Sequence, residues 1–395
     1  MPQISSKTHK FTESVIRRMT RIADEYGAIN LSQGFPDFDP PIQLIQALKK
    51  AAQEGPHQYE ITFGSKTFRE ALAIKQGNAI GRDIDPETEI VITCGATEAM
   101  ICAMMSVLNP GDKVGVFSPY YENYHADAIL SGAEAVFIPL VPPEYNVDWQ
   151  ALENAFVNGI KALVVCNPSN PCGKVFTKDE LLKIGELAKK HDAWVITDEV
   201  YEHIVYEPSV HTYMSSLPGM WKNTLSVSSL SKTYSITGWR LGYLIGPEEA
   251  VDAARKVHDF LTVGAAAPLQ EAALTGLLFS KNYYKQLQQL YTEKRDIFLS
   301  GLRSIGLKHT IPEGSYFVLA DISPYLNLPR FKGFDDTAFC EWITREIGVA
   351  AVPGSSFFPD NSGDGLMRLH FARNEESLKE ALKRLERLAD LWKNM

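Results

Sequence analysis

Two segments of this chain, Ala162-Leu163-Val164-Val165-Cys166 and Ala193-Trp194-Val195-Ile196-Thr197, are apolar almost without interruption. A strand with one wet face alternates apolar and polar residues, so a continuous run marks a strand covered on both faces, as in a parallel sheet. Each run ends abruptly. Asn167-Pro168-Ser169-Asn170-Pro171-Cys172-Gly173 follows the first and Asp198-Glu199-Val200-Tyr201 the second. Two Asn-Pro steps exclude a helix there, and open α/β sheets bind ligands at this end of their strands. The helical spacing from Lys178 to His191 supplies a covering layer between the two runs.

Other segments fit the same layered scheme. Glu89 to Thr93, Lys113 to Phe117 and Thr224 to Val227 read as strands. Phe11 to Tyr26, Ile42 to Gln53 and Met100 to Leu108 read as helices, and residues 249–300 as mainly helical with a break from Gly264 to Pro268. From about Tyr291 the order becomes helix, strand, strand, helix, with strands at Gly314 to Leu319 and Gly365 to Phe371. The second alternates, with Met367, Leu369 and Phe371 on one face and Arg368 and His370 on the other. A surface arginine is the ordinary reading of Arg368.

The chemistry concentrates in Ser228 to Tyr243, SSLSKTYSITGWRLGY. Ser228, Ser229, Ser231, Thr233 and Ser235 surround Lys232, and Arg240 follows between Gly238 and Gly242. Hydroxyls, an amine and a guanidinium suit an anion such as phosphate. A lysine enclosed near another cation loses its proton more easily and becomes a nucleophile able to form a Schiff base. A lone loop lysine is more often a solvated amine, so the weight rests on the spaced set. Likewise Cys94-Gly95-Ala96-Thr97-Glu98-Ala99 is either an anion cradle at a helix start or a plain helix cap. Asp198 at a strand end needs a partner or caps a helix, and Tyr120, Tyr121 and Tyr124 are equally at home in packing.

Composition narrows the class. With 395 residues the chain has room for two domains, and its net charge of -9 gives no electrostatic reason to expect nucleic acid or an anionic membrane. Five cysteines without a C-x-x-C pair argue against a zinc site or a disulfide framework. No signal peptide and no membrane-spanning run is evident, which predicts a soluble cytoplasmic protein.

The stretch S-x-S-K-T-Y-S-x-T-G-W-R-x-G-Y resembles the cofactor-lysine signature of class I/II aminotransferases, the pyridoxal-phosphate (PLP) enzymes of fold type I. N-P-x-N-P-x-G, D-E-x-Y, the G-A/G-T turn and R-L/I-x-F repeat the resemblance from about Asn30 to Arg373. The resemblance implies an α/β fold: a large PLP-binding domain over 43–290, whose mostly parallel sheet is covered by helices on both faces, and a smaller α+β domain from 1–42 and 291–395. It makes Lys232 the covalent anchor of the cofactor and its proton carrier, and Asp198 the partner of the ring nitrogen. Tyr201 and Asn170 would bond the phenolic oxygen, and Tyr121 would stack on the ring. Gly95, Ala96, Thr97, Ser229 and Arg240 would hold the phosphate, with Tyr59 reaching in from the neighbouring subunit of a homodimer. Gly34, through its amide, Asn170, Tyr124 and Arg368 would meet the substrate, Arg368 clamping its α-carboxylate.

The phrases LSQGFPDF, HQYEITFG and TDEVYEHIVY look most like the methionine, kynurenine and glutamine transaminase branch. No arginine lies in Phe260 to Pro268, where relatives that prefer acidic substrates carry one, and no tryptophan precedes LSQGFPDF, as kynurenine enzymes often have. Large neutral amino acids are therefore expected as donors. An aspartate-type or broad-specificity aminotransferase and a C-S β-lyase share the motifs. A PLP-binding transcription regulator would need a DNA-binding module, for which the first thirty or so residues leave too little chain. A dinucleotide-binding dehydrogenase is disfavoured, since no G-x-G-x-x-G follows an expected strand.

Overall fold

The structure, a computed structural model, describes residues 2–11 and 13–393. Thr12, within the expected first helix, and the extreme ends of the expected small domain lie outside the described residues.

An eight-stranded sheet forms the centre. Its spatial order is Ile90–Thr93, Gly242–Ile245, Thr224–Ser229, Trp194–Asp198, Ile160–Cys166, Lys113–Ser118, Glu134–Val141 and Asn146–Val147. Gly242–Ile245 runs antiparallel to both its neighbours and Asn146–Val147 is antiparallel at the far edge; the remaining pairings are parallel. The apolar run that predicted two covered faces behaves so. Ala162 and Val164 pack with residues of the helices Ala96–Val107 and Glu248–Thr262, while Leu163 and Val165 pack with Trp149–Val157 and Lys178–Lys190. Full burial of one such valine or leucine contributes about 1.5–3 kcal/mol, enough to hold the strand in register against both layers.

A second core surrounds the three-stranded sheet Phe317–Asp321, Leu366–His370 and Val352–Pro353. The helices Lys281–Ile305 and Glu375–Leu385 cover it, and Met19 and Leu31 of the N-terminal segment join it. Ile29–Asn30 pairs in parallel with Val349–Ala350, which ties that segment to the C-terminal part. The expected join at residue 290 falls inside the unbroken helix Lys281–Ile305.

Several boundaries moved for local reasons. The first helix starts at Val15, because Ser14 caps it by accepting from the Arg17 amide at 3.3 Å. The helix expected from Met100 begins at Ala96 instead, since Gly95, at φ 85°, ends the strand-to-helix turn sooner than apolar periodicity shows. The strand expected from Gly314 starts at Phe317, while Gly314 makes only an isolated bridge to Val205.

One close approach joins sheet and site. Gly242 lies beside Thr93 and Ser229 in the ladder, and a Cβ there would stand 2.4 Å from the Gly95 carbonyl carbon and 2.5 Å from the Ala96 nitrogen. Only glycine lets the start of the helix Ala96–Val107 press against the reversed strand. Among the described residues no helix is long and apolar enough to cross a membrane.

Candidate active site

The carboxyl ends of the parallel strands deliver the chemistry to one edge. Asp198 is the last residue of Trp194–Asp198, Ser229 the last of Thr224–Ser229, and Asn170 follows Ile160–Cys166. They open into a cavity of about 430 Å³ lined also by Gly34, Ala96, Thr97, Tyr121, Tyr124, Tyr201, Lys232, Arg240 and Arg368. Twelve of the expected site residues thus share one cavity. Two stand outside its lining. Gly95 sits directly behind, where a Cβ would lie 2.3 Å from Arg240 Nη2, and Tyr59 is 89% exposed on the surface.

Lys232 is held inside the cavity. Its Nζ donates to the Gly34 carbonyl at 2.9 Å and lies 6.0 Å from the centre of the Tyr316 ring. Burial of the amine, then Arg240, pushes its pKa down to about 8, with Arg368 adding to the fall, while Asp198 opposes it. The amine is therefore partly neutral near physiological pH. The Gly34 carbonyl accepts from both Lys232 and Tyr316. A side chain at Gly34 would collide with Phe317, 2.6 Å from a built Cβ.

Asp198 is buried and accepts from Tyr124 Oη at 2.7 Å and from the Val200 amide at 3.3 Å. Tyr124, expected beside the substrate, lines the cavity and bonds this carboxylate. Burial pushes the Asp198 carboxyl above its usual range, which a cation placed in the cavity would reverse. Asp127 lines the same wall, with Oδ2 unpartnered among the described residues, and burial raises its carboxyl to about 8. Tyr201 packs edge-on against Tyr316 and Phe317, its ring centre 5.1 Å and 5.8 Å from theirs.

Arg368 overturns its ordinary reading as a surface residue: it is 1% exposed. Nη1 donates to Asn170 Oδ1 at 2.8 Å and Nη2 to the Ser32 carbonyl at 2.6 Å, with Phe317 and Phe357 against the guanidinium. Its Nε is unsatisfied, and among the described residues no carboxylate forms an ion pair with it. Burial draws its pKa down to about 10. A buried guanidinium with only neutral acceptors and a spare donor is a receptor for an anion.

A second anion position forms where the helix Ala96–Val107 begins. Ala96 and Thr97 present its first turn to the cavity beside Ser229, Ser231 and Arg240. Uncapped amide donors, helix dipole and guanidinium converge there, which suits a phosphate. The plain-cap reading holds as well, since Gly95 is the N-cap of this helix and contributes no side-chain bond; Glu98 accepts from the Cys94 amide at 2.5 Å. Asn167 is structural, its Oδ1 accepting from the Phe176 amide at 3.0 Å.

Sequence reasoning missed Ser14, Ile16, Arg17, Glu122, Asp127 and Phe317 in the cavity wall. The Tyr316-Phe317 pair was visible as a strand but not as a wall. The N-terminal helix gave no signal, because only tertiary packing brings it over the cavity.

Labelling the protein, freed of small molecules, with an amine-directed acylating reagent should modify Lys232 with a midpoint near pH 8. Asp198→Asn should lower that midpoint, since the carboxylate favours the protonated amine. A midpoint above about 10, that of an ordinary lysine, would contradict the enclosed-amine geometry.

The chain resembles known proteins along nearly its whole length. The family of class I and II aminotransferases matches residues 26–385. The chain is 36% identical to the methionine aminotransferase of Escherichia coli (strain K12), over 97% of this chain and 98% of that one. It is 33% identical to human kynurenine–oxoglutarate transaminase 1, over 94% of each. The solved structure of N-succinyldiaminopimelate aminotransferase from Mycobacterium tuberculosis superposes with a TM-score of 0.92 at 35% identity, covering 98% of this chain and 100% of that one.

Proposed function

The chain belongs to the class I and II aminotransferases, and from that premise we propose that it moves the α-amino group of large neutral L-amino acids, aromatic or sulfur-containing, to a 2-oxo acid using PLP. The observation that carries this reading is the pairing, in one cavity, of a partly neutral lysine with a buried arginine that lacks a counterion.

The residues present fit PLP. Lys232 would hold it, Asp198 would face the ring nitrogen, and Tyr121, Asn170 and Tyr201 would border the ring and its phenolic oxygen. The first turn at Gly95, Ala96 and Thr97, with Ser229 and Arg240, would take the phosphate. When bound, the cofactor supplies the electron sink that stabilises negative charge at the substrate Cα.

The chain's own residues supply the rest. Arg368 offers its fork to the α-carboxylate and fixes the orientation of Cα, with Asn170 beside it. A ligand there also supplies the anion that the guanidinium lacks. Lys232 Nζ, poised near pH 8, takes a proton from carbon and returns it. Asp198, kept ionised by an adjacent cation, would hold a proton on the ring nitrogen; Tyr124 donates to the carboxylate. The aromatic walls of Phe35, Tyr121 and Phe317, with Ile16, favour an apolar side chain and limit water.

The exposed Tyr59 supports a homodimer in which Tyr59 of the partner subunit completes the phosphate site. The apolar side chains of Ile61, Phe260 and Val263 are exposed as well, a surface suited to being covered.

In paired assays, methionine and phenylalanine should exceed aspartate by about tenfold or more in kcat/KM; faster turnover of aspartate would contradict the substrate assignment. Sedimentation of the holoenzyme should give a dimer, and Tyr59→Phe should weaken cofactor retention by about tenfold through loss of one hydrogen bond to an anion. A monomer that retains cofactor as well as the wild type would contradict the shared site.

A further inference from the structure

The phosphate position is made by the first turn of the helix Ala96–Val107, and that turn opens on Gly95, at φ 85°, the residue type with the widest choice of backbone conformations. The turn therefore has to be held by its surroundings. Beside it stands Glu98, a buried carboxylate that does not line the cavity and to which the reaction proposed above gives no role.

Glu98 takes three donors. Oε2 accepts from the Cys94 amide at 2.5 Å, and Oε1 accepts from His258 Nδ1 at 2.9 Å and from the Thr262 hydroxyl at 2.6 Å. Burial by itself would raise the carboxyl, but the bonds from His258, Thr262 and the Cys94 amide outweigh it and hold the group below its usual range, so it is ionised at neutral pH. His258, itself fully buried, and Thr262 both belong to the helix Glu248–Thr262, so the carboxylate ties the turn to a second helix. Cys94 adds to the tie, its Sγ lying 3.9 Å from the Gly264 carbonyl oxygen.

The ordinary roles of such a residue fall short. A capping glutamate reaches back to the N-cap amide of its own helix. Glu98 passes over the N-cap, Gly95, and takes the amide before it, so its side chain spans the turn. As metal ligands, Glu98, Cys102 and His258 offer donor atoms within 4.8 Å of one another. Both oxygens of Glu98 are already engaged, however, and burial pushes the Cys102 thiol far up, which keeps its proton on. A fixed negative charge within one helical turn of an anion position also weakens that position by repulsion, so the geometry it imposes must contribute more than its charge takes away.

We propose that Glu98, held by His258 and Thr262, is a positioning residue that locks the turn from Cys94 to Thr97 in the shape that presents its amides to the phosphate of the cofactor. The inference rests on the phosphate reading of that turn, since only a ligand bearing phosphate would sense the lock. Glutamine can replace the carboxylate, its oxygen accepting from Cys94 and its nitrogen donating to His258 and Thr262. Alanine leaves the Cys94 amide and the Thr262 hydroxyl without that partner and releases the turn.

The test titrates the full-length protein, freed of small molecules, with PLP and with pyridoxal, the same aldehyde without phosphate, reading binding from the absorbance of the bound ring. Glu98→Ala should raise the Kd of PLP by about tenfold or more, the worth of a bond to a charged group, and leave that of pyridoxal within about twofold. Glu98→Gln should stay within about threefold of the wild type for both ligands. Thr262→Val, which keeps the shape and removes one donor, should weaken PLP in the same direction by less, and it decides the matter if Glu98→Ala does not fold. Equal losses for both ligands, a Glu98→Gln variant as weak as Glu98→Ala, or a Thr262→Val variant that binds PLP like the wild type would overturn the assignment. If the wild type binds PLP no tighter than pyridoxal, the phosphate reading of the turn fails and the proposal falls with it.

Discussion

The whole site depends on an imbalance of charge in a confined space. Lys232, Arg240 and Arg368 converge on one cavity, and the carboxylate placed to offset Lys232 is the buried Asp198. Desolvation alone would depress an amine, and two further cations deepen the effect. The same excess of positive charge that readies Lys232 to lose a proton makes the cavity receptive to anions. A readied amine and a receptive site for anions are thus two consequences of one arrangement.

The fold exists to hold that arrangement against its own repulsion. Parallel strands covered on both faces bring Asn170, Asp198 and Ser229 to a common edge without any of them needing to be near the others in sequence. The reversed strand at Gly242 brings the start of the helix Ala96–Val107 against the same edge. Arg368 comes from the other core, on the strand Leu366–His370, and is pinned across the divide by Asn170 and Ser32. Motion between the two cores would act directly on Arg368. Gly34 bridges them in a similar way, its carbonyl accepting from Lys232 and from Tyr316.

Much of this was legible because short-range sequence carries it. Near-continuous apolar runs announced the covered strands, and the breaks after Cys166 and Thr197 announced the ligand edge. Lys232 and Arg240 were visible through their shared hydroxyl-rich turn. Arg368 was ambiguous: period-two alternation separates two faces but cannot say that both are buried, and the burial of Arg368 follows from packing against Phe317 and Phe357. Tyr124 could be placed in the cavity but not against Asp198, since that contact joins residues 74 apart. Arg17 and Ser14 were invisible for the same reason. Their helix reads as an ordinary amphipathic one, and only the tertiary fold brings it to the cavity.

The central claim is that the nitrogen of Lys232 is the one that carries the cofactor. Borohydride reduction of the holoenzyme followed by digestion and peptide mapping tests it directly. The account predicts a single pyridoxyl group, on the peptide that contains Lys232, and none in Lys232→Ala. A pyridoxyl group on another lysine, or none at all, would contradict it.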